Sequence, residues 1–137
     1  LKDVWADGPI TYLGMLVHGF PNMIMLGGPQ IAAANFPRGS EVAIDWNVPL
    51  LQHLWQKGHT RFDVTEQAQQ DWFEAVKKSY EGLLINKAQS WITGYNSNLE
   101  GHEYGKTRYN IFATGGAEYA KHLQEAASGN YHGIRFT

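Results

Sequence analysis

Two short apolar runs near the start of the chain constrain its fold most, because turn residues end each of them within a few positions. The runs Tyr12 to Val17 and Met23 to Leu26 flank the turn-rich stretch 18–22, and both are predicted to be strands. Gly27-Gly28-Pro29 is predicted to end the second strand, since glycine lacks a Cβ and proline has no N–H to donate to a ladder. A loop is expected over 30–39.

The next stretch has the periodicity of an amphipathic helix. Ser40 is the predicted N-cap, and Gly58 provides the stop. Pro49 removes one main-chain hydrogen bond, so a kink or restart is expected near Asn47. The apolar stripe recurs every four residues and is widened by Leu51 and Trp55: Val42, Trp46, Leu50 and Leu54.

Two further helices are predicted downstream. Thr65 caps the second helix, and a third helix follows Gly115-Gly116 and ends near Gly129. Residues 85–107 lack periodicity and are predicted to be a long loop, which in a compact domain is more often functional or mobile than idle. The apolar face of the second helix is Ala68, Trp72, Ala75, Val76, Tyr80 and Leu83.

Short strands are predicted at 109–113 and at 133–136, the latter returning to a sheet edge. Three helices and two to four short strands indicate an α/β or α+β piece, with too few strands for a doubly wound sheet. We therefore expect the chain to complete a larger sheet that is supplied elsewhere.

Composition excludes several classes of partner. With 137 residues the chain is one domain at most, and 11 basic against 13 acidic residues give a net charge of −2. Without a basic cluster there is no footprint for nucleic acid or for an anionic membrane. No run is long enough for a membrane span. A cytoplasmic location is the default expectation, and the start, Leu1 to Asp7, suggests a piece cut from something longer.

Residues that could carry chemistry of their own are scarce. The chain has no Cys, which excludes disulfides and thiolate zinc sites. The six histidines form no ligand pair on a helix face, and no serine lies in a nucleophile elbow. His102-Glu103 is the least ordinary pair. We predict no metal ligand and no catalytic residue.

Two loops could bind a ligand, and each has an ordinary alternative. Gly27-Gly28-Pro29-Gln30 would let a flat or anionic group approach the backbone at a strand end, but it is also a common turn. In the stretch 90–96, the Trp91 indole offers an apolar face and one N–H donor, which suits a loop that folds over a sugar or a nicotinamide. The alternative is a tryptophan that pins the loop to the core.

Several motifs in order along the chain resemble the C-terminal part of Baeyer-Villiger monooxygenases, the FAD- and NADPH-dependent enzymes that turn ketones into esters or lactones. The match spans nearly the whole chain. The motifs are Trp5-x-x-Gly8-Pro9-x-Thr11-Tyr12-Leu13-Gly14, Gly19-Phe20-Pro21-Asn22-Met23, Gly28-Pro29, Glu41 through Asp45-Trp46, Ser90-Trp91 with Gly94-x-Asn96, Gly115-Gly116 with Tyr119, and Asn130-Tyr131-x-Gly133 with Phe136.

The resemblance implies a single C-terminal segment of a flavoprotein with two dinucleotide-binding domains. Residues 1–40 would complete the FAD domain, 40–85 would be a helical region, 86–107 a control loop, and 108–137 a terminal strand-helix-strand unit. The family's Gly-x-Gly-x-x-Gly fingerprints and its active-site arginine have no counterpart here. The partners implied are a ketone substrate and the remainder of the monooxygenase, and the segment alone is expected to bind neither FAD nor NADP tightly.

The resemblance also implies which residues face the cofactors. The backbone at Gly28, Pro29 and Gln30 would face the flavin ring, with N–H groups stabilising negative charge on it. Trp91 would donate a hydrogen bond toward the nicotinamide ribose, with Asn96 nearby. The substrate pocket would include residues of the loop that follows Gln30: Ile31, Ala33, Asn35 and Phe36.

The chain departs from the family pattern in three places. Residues 97–105 are extra where many members have a Pro-Gly-Lys turn, the loop 31–36 is shorter than in cyclohexanone-type members, and Pro49 interrupts a helix. One alternative is a non-catalytic ligand- or carbohydrate-binding module that uses Trp91, Tyr95 and Tyr104 as a stacking platform. Another is a relative that oxidises nitrogen or sulfur with the same flavin chemistry.

Overall fold

The computed structural model describes residues 1–33, 35–96, 98 and 107–137. Within these ranges three α-helices and one small sheet pack around a single core. The elements in chain order are α1 (Phe36–Gln56), β1 (Phe62–Val64), α2 (Glu66–Ser79), a 3-10 helix (Leu84–Lys87), a second 3-10 helix (Trp91–Thr93), α3 (Gly116–Ser128) and β2 (Ile134–Phe136).

The sheet joins two strands that lie far apart in sequence. β1 and β2 pair antiparallel, with Phe62 opposite Phe136 and Val64 opposite Ile134. The predicted return of 133–136 to a sheet edge is confirmed, while the sequence analysis missed β1. β1 has only three residues, so the alternation of apolar and polar residues that identifies a strand is too short to recognise in the sequence.

The two strands predicted near the start of the chain are wrong. The run 12–17 instead closes a tight turn in which Tyr12 and Leu16 form an isolated antiparallel bridge. Leu13 and Gly14 at its tip have φ values of 55° and 70°. The run 23–26 is likewise not a strand, and Met25 N–H donates to the Met15 carbonyl at 2.9 Å. The apolar character of 12–17 therefore reflects a buried turn.

The first helix begins earlier than predicted. Asn35, not Ser40, is the N-cap, and its side-chain Oδ1 accepts from Arg38 N–H at 3.3 Å. Pro37 lies in the first turn, where its missing N–H leaves no helix hydrogen bond unmade. The helix runs through Pro49 without the expected restart near Asn47, whose side chain donates back to the Ala43 carbonyl at 2.8 Å.

The second and third helices form largely as predicted. Thr65 caps α2, with its hydroxyl accepting from Ala68 N–H at 3.2 Å, and α3 lies between Gly115 and Gly129 at its two caps. Leu83 is a correction to the predicted apolar face: it lies beyond the end of α2 and is 40% exposed.

The predicted loop 85–107 carries short 3-10 turns in its described part. The strand predicted at 109–113 is wrong, since Phe112 forms only an isolated parallel bridge with Ala32. Phe112 N–H donates to the Ile31 carbonyl, and Ala33 N–H donates back to the Phe112 carbonyl. The stretch around Ala32 that pairs with Phe112 is short, so the pairing of the two segments ends after this one bridge.

The core joins the start of the chain to its last helix. The Tyr119 hydroxyl donates to the Leu13 carbonyl at 2.7 Å, and the Trp46 indole N–H donates to the Leu123 carbonyl at 2.9 Å. The Tyr12 hydroxyl donates to the His132 carbonyl, and burial raises the pKa of Tyr12 to about 12. The two tyrosine bonds tie the turn 12–16 to α3 and to the segment that follows it, and the Trp46 bond ties α1 to α3.

Gly14 lets two backbone segments touch. A Cβ built on Gly14 would lie 2.6 Å from the Ile31 nitrogen, and a Cβ built on Gly28 would lie 2.5 Å from the Gly14 carbonyl oxygen. The turn 12–16 and the segment 28–31 therefore approach each other with no side chain between them. Glycine is required at both positions for steric reasons.

We expect Gly14→Ala to destabilise the chain far more than Gly58→Ala. Both glycines have positive φ, at 70° and 73°, which costs an alanine about 1–2 kcal/mol. Only Gly14 adds a backbone clash, worth about 1–3 kcal/mol more, because a Cβ at Gly58 would meet nothing within 4 Å. Urea unfolding followed by tryptophan fluorescence measures both variants. Equal losses of stability would contradict this reading of the contact.

Candidate functional site

Gln30 is the most completely fixed of the predicted site residues. It is fully buried, with φ of 69°, and its side-chain oxygen accepts from both the N–H and the hydroxyl of Thr11, at 2.9 and 2.8 Å. Its side-chain nitrogen donates to the Pro9 carbonyl at 2.9 Å. The Gln30 N–H donates to the Asn110 carbonyl at 2.7 Å. Gln30 thus acts as a structural hub, and its own N–H is already used.

The residues just before Gln30 are held by backbone contact. Gly28 lies against the Gly14 carbonyl, and the Pro29 carbonyl accepts from the Thr11 hydroxyl at 3.2 Å. At Gly27 an added Cβ would lie 2.8 Å from the ring of Phe36. Close packing against backbone therefore requires glycine at position 28, whereas at Gly27 the neighbouring group is the exposed ring of Phe36.

A groove of about 260 Å³ joins the turn that follows Leu26 to the start of α1 and to the Trp91 loop. All four predicted substrate-pocket residues line it together with Trp91, although 55 positions separate Phe36 from Trp91 in sequence. Among the described residues the lining carries no charged side chain. The lining residues are Leu26, Gly27, Ile31, Ala32, Ala33, Asn35, Phe36, Gly39, Ser40, Trp91, Ile92 and Ile111.

Two exposed aromatic rings border the groove. Phe36 is 69% exposed and Trp91 is 68% exposed. A tryptophan that pinned its loop to the core would be buried, so the structure does not support that alternative for Trp91. Large apolar rings left in water at the edge of an uncharged groove are typical of a surface that another body covers.

The Trp91 loop is positioned by its backbone. Ser90 caps the short 3-10 helix by accepting from Ile92 N–H, and Gly94 ends that helix with φ of 87°. A Cβ at Gly94 would lie 2.7 Å from the Cβ of Arg108, so the loop lies directly against the chain that follows it. The indole itself remains outside these contacts.

Asn110 connects the Trp91 loop to Gln30, and the sequence analysis missed it. Its side-chain nitrogen donates to the Trp91 carbonyl at 2.7 Å, its N–H donates to the Ile92 carbonyl at 3.3 Å, and its carbonyl accepts from Gln30 N–H. A polar residue inside the apolar run 109–113 was the one available signal. Through Asn110 the two candidate loops share one anchor.

Tyr80 supports the same anchor from beneath. Its hydroxyl accepts from Ile111 N–H at 3.2 Å and lies 3.4 Å from the Ile92 carbonyl. Burial raises the pKa of Tyr80, which the hydrogen bond from the backbone N–H of Ile111 offsets in part. The phenol therefore stays protonated at neutral pH and can donate to the Ile92 carbonyl.

Some predicted site residues lie outside the groove. Gly28, Pro29, Gln30 and Asn96 are not among its lining residues, and the side-chain oxygen of exposed Asn96 accepts from Asn98 N–H at 3.0 Å. Positions 102–104 and most of the extra stretch 97–105 lie outside the described residues. In the described part of the chain, no group of three or more histidine, cysteine or acidic residues could hold a metal ion. No helix there could cross a membrane.

Comparison with known proteins gives consistent matches over this geometry. The chain is 30% identical to 2-oxo-Delta(3)-4,5,5-trimethylcyclopentenylacetyl-CoA monooxygenase of Pseudomonas putida, over 98% of the chain and 25% of that protein. It is 33% identical to a phenazine N-monooxygenase of Lysobacter antibioticus, over 98% and 24% respectively. A Baeyer-Villiger monooxygenase of Pseudooceanicola batsensis is 31% identical over 70% of the chain and 18% of its own length. No family model matches the chain.

Solved structures agree with the sequence relatives. A closed cyclohexanone monooxygenase superposes with a TM-score of 0.89 at 26% identity, covering 99% of the chain and 25% of the enzyme. OTEMO in complex with FAD and NADP gives 0.84 at 29% identity, covering 100% and 24%. The chain belongs to the Baeyer-Villiger monooxygenase family. It matches the C-terminal part of these enzymes and spans about a quarter of the length of its curated relatives.

Membership in this family confirms the resemblance and the predicted fold class of three helices with a few short strands. It does not favour the self-contained carbohydrate-binding alternative. Tyr104, one of the three residues of the platform proposed for that alternative, lies outside the described residues.

We expect Asn110→Ala to loosen the Trp91 loop specifically. The change removes the hydrogen bond to the Trp91 carbonyl and keeps the main-chain bond to Gln30. Amide exchange in 91–95 should quicken by roughly 3- to 10-fold, matching about 1 kcal/mol for one lost hydrogen bond. The control is Asn86→Ala, which removes a side-chain bond of similar length to the Tyr80 carbonyl. Equal exchange in 91–95 for both variants would show that Asn110 does not anchor the loop.

Proposed function

We propose that the chain is the C-terminal part of an FAD- and NADPH-dependent monooxygenase that inserts one oxygen atom into ketones to give esters or lactones. The observation that carries this proposal is the groove, because it brings Ile31, Ala33, Asn35 and Phe36 together with Trp91. In the overall reaction one atom of O₂ enters between the carbonyl carbon and its neighbour. The other atom leaves as water, with NADPH and a proton supplying the two electrons.

Each part of the segment is assigned a role in the complete enzyme. Residues 1–40 would complete the FAD domain, 40–85 supply the helices beneath it, and 86–107 form the loop that closes over NADP. Residues 108–137 form the terminal unit that anchors both loops. Asn110 and Gln30 supply the physical link between these parts.

The groove fits a part of such a cofactor site. Its volume of about 260 Å³ falls below the about 300–1,000 Å³ of most small-molecule sites, so it would be one wall of a site shared with the remainder of the protein. An uncharged lining with exposed aromatic edges suits a flat, conjugated ring. FAD, when bound, would supply the oxygen activation, and NADPH the electrons.

The chain's own residues would act by position and by exclusion of water. The Trp91 ring, exposed in the segment, would cover the nicotinamide side of the site with its N–H available to a ribose hydroxyl. Around Gln30 the backbone would face the flavin. Since the Gln30 N–H already donates to Asn110, any main-chain donor to the flavin must come from the neighbouring residues, Gly28 or Ile31.

Substrate binding would fall to the apolar part of the groove. Ile31, Ala33 and Phe36 offer only hydrocarbon to a ketone, while Asn35 uses its side-chain oxygen to cap α1. No side chain of the described lining is placed to transfer a proton. Catalysis by this segment would therefore consist of holding the substrate and keeping the site dry.

A heteroatom substrate is the second candidate, because the phenazine N-monooxygenase is as similar to the chain as the ketone-oxidising relatives are. The deciding experiment supplies the complete protein with NADPH and either a cyclic ketone or a planar N-heterocycle. Lactone formation supports the first proposal and N-oxide formation the second. A complete protein that contains no FAD would overturn both.

We expect Trp91→Ala in the complete enzyme to lower ketone oxidation and raise the release of hydrogen peroxide. Removing the ring opens the covered side of the site to water, so kcat/KM should fall by roughly 10- to 100-fold while NADPH consumption falls less. Product formed per NADPH consumed is the measurement. The control is Leu84→Ala, since Leu84 is 82% exposed and lies outside the groove. Unchanged coupling in Trp91→Ala would contradict the assigned role.

A further inference from the structure

Helix α1 carries a second apolar stripe that contacts nothing in the described chain's core. We call it the outer stripe, and it consists of Ile44, Val48, Leu51 and Trp55. These side chains are 43%, 47%, 39% and 81% exposed. Their spacing of four, three and four residues places them on one face of the helix, along a line about 16 Å long.

The outer stripe is distinct from the face that packs on the core. The buried residues of α1 are Ala43, Trp46, Asn47, Leu50 and Leu54. At about 100° per residue, the centres of the two apolar faces lie roughly 110° apart around the helix. The polar residues Asp45, Gln52 and Gln56 lie on the remaining arc of the circumference. A helix with a second apolar face beside the one that packs on the core is normally buried on more than one side.

The charge distribution separates the C-terminal half of α1 from the other helical surfaces. From Trp46 to Gln56 α1 has no acidic or basic residue apart from His53. By contrast, the first turns of α1 carry the exposed ion pair of Arg38 with Glu41, and α2 and α3 carry pairs such as Lys77 with Glu74 and Lys121 with Glu118. Solvent-facing helices in this protein are therefore marked by charge, and the outer stripe lacks that mark.

We propose that the outer stripe is the surface on which the remainder of the monooxygenase chain docks, through an apolar face of its own. This inference rests on the proposed function. The chain spans about a quarter of the length of its relatives, so the family has ample further chain to cover the stripe. The first turns of α1 also line the groove, through Phe36, Gly39 and Ser40. A domain that completes the groove would therefore lie next to α1.

The size of the outer stripe favours the remainder of the same protein over a second copy. Four half-exposed side chains offer roughly half of the about 800 Å² that each partner buries in a stable dimer. A covalently linked domain loses little translational freedom on docking, so a smaller apolar contact is enough to hold it. The groove and the outer stripe would then be two parts of one interdomain surface.

Cysteine labelling of the complete FAD-containing enzyme tests this proposal. Because the 137 residues contain no native cysteine, a label found on an α1 peptide by mass spectrometry can come only from the introduced residue. Val48→Cys and Leu51→Cys probe the stripe at two independent positions, so one misfolding variant does not end the test. Gln56→Cys, exposed on the remaining arc of α1, is the matched control. The labelling rate of each folded variant is divided by the labelling rate of the same variant unfolded in urea.

In the monomer fraction from size exclusion we expect both stripe cysteines to react with a maleimide at least tenfold more slowly than Gln56→Cys. Equal rates in a protein that retains FAD and oxidises its substrate would overturn the docking proposal and leave the proposed function intact. Protection confined to an oligomer fraction would also overturn it, in favour of a second copy. Loss of the proposed function would show instead as absence of FAD or of oxygenation in the unmodified protein.

Discussion

The buried side-chain amide of Gln30 holds together separate segments of this chain. Its oxygen is satisfied by Thr11 and its nitrogen by the Pro9 carbonyl, while its main chain bonds to Asn110. Without these bonds, each buried polar partner would cost about 1–3 kcal/mol. Gln30 has a left-handed backbone conformation, and these bonds hold it in place. The path of the chain on both sides of Gln30 is therefore fixed, and with it the groove residues that follow from Ile31.

The position of the Trp91 loop follows from the same constraint. The main-chain carbonyl of Asn110 accepts a hydrogen bond from the Gln30 N–H, and the Asn110 side-chain nitrogen donates to the Trp91 carbonyl. The backbone at Gln30 and the Trp91 loop are thus both bonded to one residue, although Gln30 lies far from the other two positions in sequence. The exposed Trp91 and Phe36 rings, together with the outer stripe of α1, describe a molecule whose apolar surface is larger than its own chain can cover.

The sequence predicted best where a repeating pattern was long. Trp72 and Val76 lie on the buried face of α2 as their spacing required, and Thr65 caps that helix. Prediction failed where short apolar runs were read as strands, because burial of the turn 12–16 depends on a contact between Gly14 and Ile31 that no local pattern encodes. The family motifs named the residues that line the groove, but not the pairing between Asn110 and Gln30, which is a property of the folded chain.

We propose that the groove between 26–40 and 91–92 is one wall of a site shared by flavin and nicotinamide. A crystal structure of the complete protein with FAD and NADP bound would test this proposal. We expect the flavin ring to lie against the backbone of 28–31, with a donor distance of about 3 Å, and the Trp91 indole to lie against the nicotinamide riboside. A flavin seated away from this turn, with Trp91 facing solvent in the closed enzyme, would contradict it.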